Sequence, residues 1–282
     1  MSTFAVVASR ATPTNARLGP VLTPAQAVAR LRRGDVALGR LDVLPSLDGV
    51  EPGLWALDLL ERRGVTVFNR SQALATAHDK LATAEALACA GVPHPPTVRV
   101  APWLPPPALE PPLVLKPRFG SWGRDVTRCD SSLELGRALA AARLRVWFNA
   151  AGGIVQRLVP PAGFDLRVLV AGDEVVGAVM RQAAPDEWRT NVALGGRRDP
   201  VGIDLLPVPG DGWLVLEVNG AVDFNGCYSL GAEIFSAVKS ALLPGIGFEA
   251  DAQIDDDALG DGLPDDLDRL RRRGAPGALA AG

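Results

Sequence analysis

With 282 residues, 48% of them hydrophobic and 22% charged, the chain can bury a sizeable core and hold two domains or one elaborated domain. A formal net charge of −3 without a long basic patch argues against a nucleic-acid or membrane-surface binder. Cys89, Cys129 and Cys227 are odd in number, far apart and form no CxxC pair, which speaks against a disulfide framework or a zinc site and for a reducing compartment. The N-terminal MSTFAVVASR is too short an apolar run for a signal peptide, and no stretch approaches the ~18 apolar residues of a membrane span, so a cytoplasmic protein is expected.

In chain order, Phe4 to Ala8 reads as a buried strand, and Thr23-Pro24 opens a helix over Ala25 to Leu31 with a capping residue and a first-turn proline. Val36 to Leu38 and Val65 to Phe68 read as strands around a helix at Leu54 to Arg63 that stops at Gly64. This alternation predicts a small α/β layer over residues 1–76. Within it, the turn-rich GRLDVLPSLDGVEPG carries Arg40 and Asp42 and reads equally well as a surface connection or a substrate-facing loop. A helix starts at Asp79 and stops at Gly91. Lys80 therefore stands in a first turn, where a cation is mildly disfavoured by the helix dipole unless an anion lies nearby.

After a proline-dense spacer, Leu113 to Leu115 is a short apolar strand that delivers Lys116 to a loop in which Gly120 and Gly123 bracket Ser121 and Trp122. Glycines there let backbone N–H groups approach an anion closely, so strand, lysine and glycine loop form a phosphate-handling layout. The alternative is an ordinary glycine turn with a solvated lysine. Composition bears on the choice: of 29 Lys and Arg residues only Lys80, Lys116 and Lys239 are lysines, so positions needing a compact point charge should stand out.

A helix is expected at Ser132 to Ala142, a strand at Ile154 to Val159, and a hairpin from Leu166–Val170 through Ala171-Gly172-Asp173 to Val175–Met180. Two further strands, Ile203 to Leu206 and Trp213 to Val218, are joined by PVPGDG. Glu217 and Asn219, two apart, point to one face, and with Asp204 on the neighbouring strand they offer three oxygen donors to a hard cation such as magnesium. The plain alternative is an Asn219-Gly220 turn with a surface carboxylate. From Glu249 onward the tail has little to bury.

Taken together, Lys80, Lys116, FGSWGRD, FDLRVLVAGDEVVGAVMRQ, WRTNVALGG and LEVNG resemble an ATP-grasp ligase of the RimK-like branch, which includes ligases acting on an amino-group carrier protein in lysine and arginine biosynthesis and α-L-glutamate ligases. The resemblance runs from about Asp35 to about Val238. It implies an ATP-grasp fold, mixed α/β and α+β, with a small N-terminal α/β domain (1–76), a central subdomain with the glycine-rich loop (77–155), a C-terminal subdomain with a metal site (156–248) and a mobile tail (249–282). It further implies ATP- and Mg2+-dependent joining of a carboxylate to an amine through an acylphosphate, with ADP and phosphate released and Mn2+ as an alternative metal. Lys80 and Lys116 would hold the phosphates and Gly120, Ser121, Trp122 and Gly123 would close over them. Gln156, Arg157, Leu158 and Val159 match the adenine-binding hinge. Arg167 and Arg181 match basic residues facing phosphate and substrate, Asn191 the reacting centre, and Asp204, Glu217 and Asn219 the metal ligands. The implied partners are a small-molecule or carrier-protein carboxylate and an amino acid, with a homo-oligomer left open.

Two departures from the resemblance stand out. Arg157 replaces an acidic hinge residue common among relatives, and RRDPVG, between Gly196 and Ile203, stands where relatives carry a helix-length segment. The short link motivates a second reading, a nucleotide-binding module of impaired turnover and reduced stability. A dinucleotide oxidoreductase is disfavoured because no GxGxxG follows the first strand.

Overall fold

The computed structural model describes residues 2–41, 53–105, 107–120, 123–172, 174–185, 187–189, 203–208, 210, 212–220 and 233–242, all within one compact unit, 1–244. Asp42, Ser121, Trp122, Asn191, the 197–202 link and the 249–282 tail lie outside the described residues. The described strands form three four-stranded sheets.

The first sheet is parallel throughout. Its order is β2 (Val21–Leu22), β1 (Phe4–Val7), β3 (Val36–Gly39), β4 (Thr66–Phe68). Thr23 and Gln26 cap each other's backbone at the start of α2 (Pro24–Arg30), a reciprocal box that explains why this helix could be read from sequence. Ala27 with Leu57 and Leu60 of α3 (Leu54–Arg62) closes the core on one side of the sheet. The six-residue α1 (Pro13–Leu18) and two-residue β2 were not anticipated, being too short to show a period.

Helices α4 (Ser71–His78) and α5 (Lys80–Cys89) meet at Asp79, which ends one and caps the other. They lead into an antiparallel sheet of order β5 (Thr97–Val100), β8 (Gly153–Arg157), β6 (Leu113–Pro117), β7 (Thr127–Cys129). Leu113, Leu115, Val155 and Phe148 make its core beneath α6 (Ser132–Ala142) and α7 (Val146–Ala151). Gly152 has φ +73°, and a Cβ there would stand 2.6 Å from the Val100 carbonyl oxygen, so only glycine serves at the entry to β8. The strand expected over Ile154 to Val159 ends at Arg157, leaving Leu158 and Val159 in the connection that follows. The expected division between residues 155 and 156 falls inside β8.

The third sheet is antiparallel, in the order β10 (Glu174–Gln182), β9 (Phe164–Ala171), β11 (Ile203–Val208), β12 (Gly212–Val218). α8 (Glu233–Leu242), not anticipated from the sequence, buries Ile234, Phe235 and Val238 with Leu169 and Ala171 of this sheet and Val6, Leu18 and Leu38 of the first layer. Parallel and antiparallel sheets in one unit make the mixed α/β and α+β class that the sequence implied.

Leu113 is fully buried on a strand paired on both sides. Leu113→Ala should cost about 2–5 kcal/mol of stability, read as a lowered urea midpoint with an unchanged slope.

Candidate active site

One cavity collects side chains from the second and third sheets. Lys80 enters from the first turn of α5, and Lys116 from β6, a strand interior to its sheet. The Lys80 ammonium donates to the Gly120 carbonyl, so the first cation already touches the glycine loop. Lys116 donates to Gln156 Oε1 at 2.6 Å, and Gln156 Nε2 donates to Thr97 Oγ1 at 2.8 Å. Strand register explains that chain: Gln156 lies opposite Thr97 on one side and Val114 on the other, which puts it on the same face as Lys116. Burial pushes the Lys116 pKa down to about 8; Glu217 and Asp204 oppose this and Lys80 adds to it.

Gly120 and Gly123 both line the cavity with positive φ, +116° and +67°, dihedrals that side chains disfavour. Arg189 donates to the Gly123 carbonyl at 3.1 Å and is held by Glu187 at 2.8 Å. The Glu187 carboxyl is drawn down to about 2, chiefly by the hydrogen bond from Arg189. Gln156, Arg157, Leu158 and Val159 form the adjoining wall. The Arg157 and Leu158 N–H groups donate to the Pro96 and Pro112 carbonyls, both at 2.9 Å, which ties this stretch to the fold.

A chain of four charges runs through the third sheet, three of them in the cavity wall. Arg181 clasps Asp165 through Nε at 2.7 Å and Nη2 at 2.5 Å, and reaches Asp204 Oδ2 at 2.8 Å. Arg167 clasps Asp204 from the other side at 2.7 and 2.9 Å. Asp165 is 1% exposed, Arg181 and Asp204 each 4%. Burial alone would lower the Arg181 pKa, but Asp204 and Asp165 outweigh it and hold it above the usual guanidinium value. Arg181, Asp165, Asp204 and Glu217 line the cavity; Arg167 and Asn219 are not part of its wall. Arg167 therefore acts on the site through Asp204. Asn219 follows the end of β12 rather than sharing a strand face with Glu217.

The donor set fits a hard divalent cation. Asp204 and Glu217 are register partners on adjacent strands and both face the cavity, so their carboxylates are cross-strand neighbours. Asp204 accepts three N–H groups of about four that a carboxylate can take, which leaves it capacity for one more partner. Among the described residues no group of three His, Cys, Asp or Glu is placed to hold a metal. Two carboxylates, completed by water and phosphate oxygens, suit magnesium, which keeps several such ligands rather than an all-protein cage.

Among the wall residues not singled out from sequence are Asp165, Arg124, Trp188 and Arg189. Asp165 alone left a trace, two residues before Arg167 on the same strand and hence on the same face.

A family model for the RimK-like ATP-grasp domain matches residues 77–204. The chain is 31% identical over 218 residues to the glutamate–LysW ligase ArgX of Sulfurisphaera tokodaii, covering 67% of this chain and 77% of that protein. It is 30% identical over 191 residues to the tetrahydromethanopterin:α-L-glutamate ligase of Methanosarcina acetivorans, covering 60% of this chain and 57% of that one. Among solved structures, the RimK domain ATP-grasp protein of Sphaerobacter thermophilus superposes with a TM-score of 0.57 at 20% identity, over 86% of this chain and 100% of its own, a likeness of fold. The D-cycloserine synthetase DcsG superposes with a TM-score of 0.56 at 17% identity, over 83% and 98%.

Removing one member of the four-charge chain should cost more than removing a pair. Asp165→Leu leaves Arg181 short of a buried carboxylate and should destabilise by roughly 3–5 kcal/mol, while Asp165→Leu with Arg181→Leu should lose less than the single change. Denaturant unfolding of both variants checks it; additive losses would count against coupling.

Proposed function

This chain belongs to the RimK-like ATP-grasp family of ATP-dependent ligases, and we propose that its cavity joins a carboxylate to the amino group of an amino acid, with Lys80 and Lys116 holding the ATP phosphates. The observation that carries the reading is the gathering, in one cavity, of two lysines beside a glycine loop and the Asp204–Glu217 carboxylate pair. Phosphoryl transfer asks a protein mainly for positioning and positive charge, and that is what this arrangement offers. The three sheets then correspond to an N-terminal layer, a central subdomain carrying the loop, and a C-terminal subdomain carrying the metal site.

In the proposed reaction a substrate carboxylate oxygen attacks the γ-phosphorus of ATP and ADP leaves, giving an acylphosphate. The amine then attacks the acyl carbon, phosphate leaves with the C–O bond electrons, and the ammonium sheds its proton to form the amide. A carboxylate is a poor electrophile until one of its oxygens becomes a leaving group, which is why ATP is consumed. Asp204 and Glu217 would hold magnesium, with manganese able to replace it; when bound, the metal neutralises phosphate charge. Lys116 donates to the phosphates after release from Gln156, Gly120 and Gly123 let the loop backbone approach them, and the 156–159 stretch packs against the base. Leu158, Val159, Leu206 and Leu216 supply the apolar part of that wall.

The ArgX and tetrahydromethanopterin ligases named above are ligases of glutamate, so an acidic amino acid is the first amine to test, with Arg124 in the wall as a cation for its carboxylates. A carrier-protein carboxylate is the matching acceptor class. Among the described residues no helix is long and apolar enough to cross a membrane, and we place the reaction in the cytoplasm, where ATP is supplied. The decisive experiment incubates the purified protein with ATP, magnesium, glutamate and candidate carboxylates: ADP and phosphate formed only when both substrates are present support the reading, whereas AMP and pyrophosphate overturn the mechanism.

Two outcomes follow from Lys116. Lys116→Ala should weaken ATP binding by roughly 1.5–3 kcal/mol while the fold persists, measured by titration calorimetry and circular dichroism. Because the free protein holds the Lys116 pKa down to about 8, beside Lys80, Glu217 and Asp204, its charge fades as pH rises through that value. Bound phosphates restore the proton, so ATP affinity should fall as pH rises past about 8, with net proton uptake on binding. Calorimetry in buffers of different ionisation heat reads that uptake, and its absence would show that Lys116 does not meet the phosphates.

A further inference from the structure

We propose that Asp79 and Arg118 are positioning residues for Lys80: a half-buried ion pair outside the cavity that locks the start of α5 to the stem of the glycine loop and so fixes the ammonium where the phosphates lie. The inference rests on the reading of Lys80 as a phosphate-holding cation.

Asp79 is 6% exposed and serves two helices. Its N–H donates to the Ala75 carbonyl at 3.2 Å, closing α4, and its carboxylate accepts from the Leu81 N–H at 3.1 Å, opening α5. The same carboxylate accepts from Arg118 Nε at 2.7 Å and Nη2 at 2.5 Å, a bidentate fork that only arginine can present. Arg118 follows β6 directly and stands two residues before Gly120. The hydrogen bond to Asp79, more than any other interaction, raises the Arg118 pKa above the usual guanidinium value, so the arginine keeps its charge.

Lys80 is bound to the same short stretch by both main chain and side chain. Its N–H donates to the Arg118 carbonyl at 3.1 Å, and its ammonium to the Gly120 carbonyl. Three ties therefore join Asp79–Lys80 to residues 118–120, although the two segments lie about forty residues apart. A lysine at a helix start opposes the helix dipole, and the adjoining Asp79 carboxylate offsets that cost. Neither Asp79 nor Arg118 lines the cavity, so their effect on a ligand must pass through Lys80 and the loop. Holding the long Lys80 chain and the loop stem in one place beforehand reduces the ordering cost when phosphate binds.

The test is a double-mutant cycle on ATP binding and turnover in the full chain. Arg118→Ala should raise the Kd and KM for ATP about tenfold, leave the KM for the amine unchanged, and add nothing in a Lys80→Ala background. Arg118→Lys, which keeps the charge but loses the fork, should recover part of the loss. Thermal unfolding accompanies each variant, and if Asp79→Asn fails to fold, the Arg118 series still decides. An equal Arg118→Ala effect with and without Lys80 would mean a general structural role and overturn the proposal, as would an unchanged Kd. If Lys80→Ala alone binds ATP as the unaltered chain does, the phosphate reading of Lys80 falls and takes this inference with it; if Lys80→Ala binds weakly but Arg118→Ala does not, only the inference falls.

Discussion

The chain of Asp165, Arg181, Asp204 and Arg167 governs the third sheet, because three buried charges and a fourth that is half-buried tolerate only one alignment of the strands that bear them. Each arginine must face its carboxylates within hydrogen-bond reach, since an uncompensated buried charge costs several kcal/mol. One β-bulge supplies the alignment of this chain, and a second sets the carboxylate beside it. On β10 the register shifts between Val175 and Gly177, which brings Arg181 opposite Asp165. Counted from the turn without that shift, Arg181 would lie opposite Phe164 and Met180 would face Asp165. On β11 and β12 the register shifts between Asp204 and Leu205, which brings Glu217 opposite Asp204 where Leu216 would otherwise stand. The burial order along β11 carries the same message. Its aspartate is buried while its apolar residues are only half-buried, so the strand is held by its ionic contacts at least as much as by its hydrophobic ones.

Such a chain does little for net stability, because taking four charges out of water costs about what their attraction returns. Its value lies in orientation. Asp204 is gripped by two forked guanidinium groups on one side and keeps capacity toward the cavity on the other. A carboxylate fixed this way can present an oxygen to a cation without the entropy loss of a free side chain. The cost of the ionic chain is thus borne by the fold and the benefit appears at the site.

What the sequence revealed follows from the range of each signal. Lys116 and the two glycines were legible because strand, cation and loop are contiguous, and Asp204 and Glu217 because a short turn joins their strands. The bulges were not legible: a bulge adds one residue without changing composition or alternation strongly enough to be seen, yet it decides which residues face each other. Asp165 was therefore missed beside Arg167, and Asn219 was credited with a strand face that ends at Val218. Arg189 and Trp188 follow β10 with no periodicity of their own, and only the folded chain brings Arg189 to the Gly123 carbonyl, 66 residues away. In the first layer, Thr23 and Gln26 announced α2 through a local capping pattern, whereas α8 gave no such signal and takes its place by packing Ile234 and Phe235 on a sheet built much earlier in the chain.

Six cations in and around the site divide by chemistry. Arg118, Arg167, Arg181 and Arg189 each hold a carboxylate in a forked grip, so their charge is largely spent within the protein. Lys80 and Lys116 instead donate to neutral oxygens, the Gly120 carbonyl and the Gln156 amide, and among the described residues neither has a direct ion-pair partner. A neutral acceptor orients a lysine without cancelling it, and a phosphate arriving in the cavity displaces a weak partner rather than a strong one. On the proposed reading, that division suits two of the chain's three lysines to their places: a bidentate fork would seek a carboxylate, while a compact ammonium can wait on a carbonyl and then turn to an anion.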